Sequence, residues 1–129
     1  MPSVMIVDDL PAVHEMLEAV INPAGYSSEC FLNGRNALKR YKEQRFDVVL
    51  ADISMKPMDG VSLLKEIIAY DPQAKVIMIT GYSTTDSAMD AIKLGAFDYV
   101  EKPFRIDALI DTVNRAISST GKTEPSDLS

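Results

Sequence analysis

The stretch VVLADISMKPMDG (Val48–Gly60) decides how this chain reads. Four apolar residues, Val48 to Ala51, run without polar alternation and end on a single carboxylate, Asp52. A loop containing Pro57 and Gly60 follows. An unbroken apolar run of this length suits a strand covered on both faces, as strands of a parallel sheet are. Asp52 is then carried to the end of a buried strand, and the charge there needs a reason.

Working outward, apolar strands and amphipathic helices alternate along the chain. Ser3–Val7 (SVMIV) is a short apolar run that ends on Asp8 and Asp9. Pro11 suits the first turn of a helix. Val13, Met16, Leu17, Val20 and Ile21 follow at helical spacing, and NPAG (Asn22–Gly25) stops them. SSECFL reads as the second strand, and Asn33 as the cap of a helix running to about Gln44. FDVVLAD is the third strand. Leu63, Leu64, Ile67 and Ile68 mark the inner face of the next helix, which stops at Asp71-Pro72. KVIMIT (Lys75–Thr80) is the fourth strand, and STTD from Ser83 is a capping-box pattern. That helix ends at Gly95, a C-terminal cap. DYV is the fifth strand. Ile106, Leu109, Ile110, Val113 and Ile117 form the stripe of the last helix. Residues 1–119 are thus expected to form one domain. Residues 120–129 are polar and aperiodic, a frayed end or the start of a linker.

Composition narrows the function classes. The 129 residues suit one domain, burying roughly two-thirds of the surface an unfolded chain exposes. The net charge of -6 argues against a domain that grips nucleic acid or an anionic membrane by itself, since both need a basic patch. No apolar run spans a bilayer, and no basic segment leads into a signal-peptide core. One cysteine, Cys30, allows no internal disulfide, which makes a reducing cytoplasm the simplest compartment. In its strand-like setting Cys30 reads as a small buried hydrophobe. His14, the only histidine, reads as a solvent-exposed helix residue without an orienting partner.

Strict β-α alternation implies a parallel sheet with helices on both faces. In such sheets ligands bind beyond the carboxyl ends of the strands. Asp8 and Asp9 follow the first strand, Asp52 ends the third, Thr80 the fourth, and Lys102 follows the fifth. Singly, an Asp at a strand end is often a helix cap, and Asp9 before Leu10-Pro11 fits that role. Together they meet at one edge. Three crowded carboxylates repel, and a divalent cation removes the conflict. All-oxygen ligation suits Mg2+ or Mn2+, while the lack of His or Cys at these strand ends argues against zinc. Carboxylate, cation, hydroxyl and ammonium form a phosphoryl-binding set, and a carboxylate can itself be the nucleophile.

The ordered pieces IVDD, VVLADISMKPMDG, VIMITGYS and GAFDYVEKPF, spread over Ser3–Ser119, resemble the receiver domain of two-component response regulators. The resemblance implies a flavodoxin-like (βα)5 three-layer sandwich with strand order 2-1-3-4-5. It implies Asp52 as phosphoacceptor from a sensor histidine kinase or phosphotransfer protein, in a switch rather than an enzyme acting on other molecules. Mg2+ would be held by Asp9 directly, by Asp8 through water, by Asp52 and by the backbone carbonyl of Ser54. Lys102 would pair with the phosphoryl group. Thr80 would be the switch hydroxyl and Tyr99 the aromatic that rotates inward. The responding face would comprise the last two helices and the fifth strand. Through it the domain would dimerise or meet an output domain or partner protein, as in transcription regulators.

Lys56 stands where the family's loop has proline, which comes one residue later at Pro57. Lys56 and Tyr82 are expected to tune the lifetime of the phosphoryl group, with Tyr82→Ala speeding its loss. The rival reading is a Mg2+-dependent phosphohydrolase working through an aspartyl-phosphate. Haloacid-dehalogenase-like enzymes carry a second Asp two residues after the nucleophile. Here that residue is Ser54.

Overall fold

The computed structural model describes residues 2–53, 60–80, 90–102 and 105–118. Five strands are present: β1 (Ser3–Val7), β2 (Ser27–Phe31), β3 (Val48–Asp52), β4 (Val76–Thr80) and β5 (Asp98–Glu101). Helices α1 (Pro11–Ile21), α2 (Gly34–Glu43), α3 (Gly60–Tyr70) and α5 (Ile106–Ser118) are described, with α4 at 90–93. The strands are all parallel and lie in the order β2-β1-β3-β4-β5.

Both faces of the sheet are covered, so the molecule is a three-layer sandwich. Val49, Ala51, Val76 and Met78 pack with α2, α3 and Ala91 of α4. Val48, Leu50, Ile77 and Ile79 pack with α1 and α5 through Leu17, Ile21, Leu109 and Val113. This two-sided burial explains why β3 and β4 are apolar without alternation.

Two of the helix signals act as read. The Asn33 side chain accepts from the Asn36 N–H at 2.9 Å and caps α2. Gly95 has φ 111°, its N–H donates to Ile92 O at 3.0 Å, and the Ala96 N–H reaches back to Ala91 O at 3.0 Å. That pair of bonds is a Schellman ending, which needs a residue without a Cβ penalty.

Some expectations are corrected. Met16 and Ile106 leave the core, at 43% and 64% exposure. Leu17 and Ile21, one turn apart, are the buried residues of α1, and Met16 lies to the side of their line. Ile106 is the first residue of α5, before the helix reaches the sheet. Strand β2 stops at Phe31, leaving Leu32 exposed, and β4 starts after Lys75. Asp9 is not a helix cap: Leu10 holds the N-cap position of α1 without a side-chain bond. The STTD start of α4 and the tail from 119 lie outside the described residues.

Candidate functional site

The sheet delivers the polar residues to one edge. At the end of β1, the Asp8 N–H donates to Phe31 O at 3.1 Å. At the end of β3, the Ile53 N–H donates to Ile79 O at 2.9 Å. Past β5, the Lys102 N–H donates to Thr80 O at 2.8 Å. Asp8, Asp52, Thr80 and Lys102 are therefore tied at or beside the last rung of a ladder. Their side chains inherit the rigidity of the sheet.

Asp8, Asp9 and Asp52 each offer a carboxylate oxygen within 4.8 Å of the others. Asp8 is fully buried, Asp52 is 5% exposed and Asp9 is exposed. Lys102 Nζ bridges two of them, 3.3 Å from Asp52 Oδ2 and 3.5 Å from Asp8 Oδ2. Burial pushes the Asp8 carboxyl above its usual range. The Leu10 N–H and Lys102 oppose that push, while the charge of Asp52 adds to it. The Leu10 N–H donates to Asp8 Oδ1 at 2.9 Å, so the buried acid serves the entry to α1 as well as the site.

Thr80 is buried at the end of β4. Tyr99, 38% exposed, pairs with Met78 across β4 and β5, and Thr80 lies two residues beyond Met78. Strand alternation then puts Thr80 and Tyr99 on the same sheet face, the one that α3 and α4 cover. Ser54, Lys56 and Tyr82 lie outside the described residues. Cys30 is half-buried, and burial, with the charge of Glu18, pushes its thiol up to about 12, so it stays protonated.

Two residues hold places at the site that the sequence does not show. Gly60 N–H donates to Ile53 O at 2.9 Å, which presses the start of α3 onto the backbone of Asp52. His14 is not a solvent-exposed ring without a partner: it is half-buried, with Nε2 2.7 Å from Asp8 O. Its spacing of six residues from Asp8, with Pro11 between, was the only trace of this in the sequence.

A doubly covered parallel sheet with an acidic group and a lysine at its carboxyl edge is the arrangement of a receiver-type domain. The chain belongs to the response regulator receiver domain family, whose model matches residues 4–114. It is 39% identical over 117 residues to the transcriptional regulatory protein ZraR of Escherichia coli strain K12, covering 91% of this chain and 26% of that protein. It is 42% identical over 115 residues to the DNA-binding transcriptional regulator NtrC of the same strain, covering 89% and 24%. The chain thus spans about a quarter of the length of these curated relatives. Among solved structures, the receiver domain of NtrX from Brucella abortus superposes with a TM-score of 0.87 at 29% identity, covering 91% of this chain and 99% of that one. Chemotaxis protein CheY4 of Vibrio cholerae superposes with a TM-score of 0.84 at 28% identity, covering 90% and 98%. The fold is the flavodoxin-like fold of these receivers. Among the described residues, no helix is long and apolar enough to cross a membrane.

Proposed function

We propose that this chain is a phosphorylation-dependent signalling switch, with Asp52 taking a phosphoryl group from the phosphohistidine of a sensor kinase or phosphotransfer protein. One observation carries the reading: a nearly buried carboxylate at a strand end, 3.3 Å from a lysine ammonium and clustered with two more carboxylates. An Asp52 oxygen attacks phosphorus and the P–N bond breaks. The imidazole nitrogen keeps the bonding pair and takes up a proton, and an acyl phosphate remains on Asp52.

The all-oxygen donor set of Asp8, Asp9 and Asp52 fits Mg2+, with Mn2+ as the alternative. When bound, the cation supplies charge neutralisation to the phosphoryl oxygens and to the crowded carboxylates. Lys102, already between Asp8 and Asp52, pairs with a phosphoryl oxygen. The Thr80 hydroxyl donates to another. The new group carries about 1.5 to 2 negative charges where the carboxylate carried one, so the site gains up to about one charge along with strong acceptor oxygens. Thr80 and Tyr99 share a sheet face, so displacement of one alters the space open to the other. The signal then passes to the face formed by α4, β5 and α5.

The chain acts on itself and turns over no free substrate. Its similarity to ZraR and NtrC supports a place in a transcription regulator whose DNA contacts lie outside this domain, working in the cytoplasm beside its kinase.

The test is intact mass after incubation with acetyl phosphate, with and without Mg2+, for the wild type and Asp52→Asn. The expected result is one added phosphoryl group that needs both Mg2+ and Asp52. Steady hydrolysis of a small phosphate ester without an adduct would overturn the switch in favour of a phosphohydrolase.

A further inference from the structure

Asp8 is held at every polar group. Its N–H is bonded to Phe31 O, its Oδ1 accepts from Leu10 N–H, and its Oδ2 faces Lys102. Its carbonyl lies one residue past the last rungs of β1, where Val7 pairs with Phe31 and Ala51. Among the described residues, the ladder therefore gives that oxygen no partner. The following turn gives none either. The N–H three residues on would belong to Pro11, which has no hydrogen on nitrogen.

His14, at the first turn of α1, fills the gap with Nε2 2.7 Å from Asp8 O. A carbonyl oxygen only accepts, so Nε2 bears the hydrogen and donates. The Asp8 carbonyl and the Asp9 N–H belong to one peptide plane. Fixing that oxygen fixes the plane from which both acidic side chains depart.

We propose that His14 is a positioning residue for the acidic site, locking the peptide plane between Asp8 and Asp9 so that both carboxylates stay aimed at Asp52. The inference rests on the phosphoryl-acceptor reading and adds to it a determinant of cation affinity. A loose plane leaves two carboxylates to be ordered at the moment of binding, and that ordering weakens affinity. Once the cation is bound the plane is set, so the chemistry that follows is little affected.

The experiment is a calorimetric Mg2+ titration of wild type, His14→Phe, His14→Ala and His14→Gln, with acetyl phosphate uptake followed against Mg2+ concentration. Phe and Ala remove the donor, whereas the Gln amide can replace it. Phe and Ala are expected to raise the Mg2+ Kd, and the Mg2+ concentration for half-maximal uptake, by about tenfold. The limiting uptake rate at saturating Mg2+ should stay within about twofold, and Gln should recover most of the affinity. In metal-free protein, exchange of the Leu10 amide should speed up in Phe and Ala but not in Gln. An unchanged Kd in Phe and Ala overturns the proposal, as does a Gln variant as weak as Phe. If the Phe variant does not fold, the Ala and Gln pair decides. If wild type binds Mg2+ but takes up no phosphoryl group, the acceptor reading fails, and the Kd series still judges His14. If wild type binds no Mg2+, both fall.

Discussion

Gly60 sits at a contact that admits no side chain. A Cβ there would lie 2.2 Å from the Asp52 carbonyl oxygen and 2.8 Å from both the Asp52 carbonyl carbon and Ile53 Cα. In an open helix, alanine would gain about 1 kcal/mol over glycine. Here the opposing atoms are backbone and cannot turn aside as a side-chain tip can. Gly60→Ala is therefore expected to lower stability by roughly 1–3 kcal/mol. It should also slow phosphoryl uptake, because the atoms displaced belong to Asp52 itself. Urea unfolding and the acetyl phosphate assay check the two effects; a variant equal to wild type in both refutes the account. At this scale Asp8, Asp9, Asp52, Thr80 and Lys102 were legible because each ends or follows a strand, and apolar runs mark strand ends. Gly60 and His14 were not. One meets a backbone segment across a loop whose path no periodicity encodes. The other reaches a carbonyl oxygen, which every residue type carries.

The elements are joined away from the site by Asp71, just past α3. Its Oδ2 accepts from the Tyr41 hydroxyl of α2 at 2.7 Å and from Arg45 Nε at 2.8 Å, and its Oδ1 from the Gln73 N–H at 3.0 Å. Burial alone would raise its pKa, but the bonds from Arg45, Tyr41 and Gln73 together outweigh that, and the net shift is downward. The folded state thus binds this proton less readily than the unfolded state. Its stabilisation is present above the ordinary carboxylate pKa of about 3.9 and is lost as pH falls through the lower folded value. Asp71→Asn should therefore be less stable than wild type at neutral pH, with the gap closing below about pH 4. Tyr41→Phe should cost about 1–2 kcal/mol at neutral pH, since the bond it removes ends on a charge. Urea midpoints across a pH series check both, and a gap constant with pH would contradict the linkage. The sequence marked Asp71-Pro72 only as a helix stop. Helical stripes found the covered side of α1, α3 and α5, but a stripe does not say where a helix overhangs its sheet. That is why Met16 and Ile106 were misplaced.

Over the whole molecule, the parallel sheet follows from β-α alternation with unbroken apolar strands, whereas the order β2-β1-β3-β4-β5 comes from the family resemblance and is what the structure has. The order has an energetic consequence. It brings three carboxylates within 4.8 Å in a chain of net charge -6, a concentration of charge the unfolded chain does not hold. Lys102 offsets part of the repulsion. A cation that binds only the folded state must then stabilise it by mass action, by about 1.4 kcal/mol at ten times its Kd. For a domain of this length that is a rise of about 4–6 °C in Tm. Mg2+ should produce the rise, EDTA should reverse it, and a monovalent salt at matched ionic strength should not reproduce it, since screening is not coordination. Asp9→Asn and Asp52→Asn should each remove most of the Mg2+ effect. Melting curves over a Mg2+ series decide the matter. The absence of a Mg2+-specific rise in wild type would remove the cation from the proposed chemistry. A rise that survived in both variants would move it to another part of the molecule, and Lys102 alone would then have to neutralise the phosphoryl group.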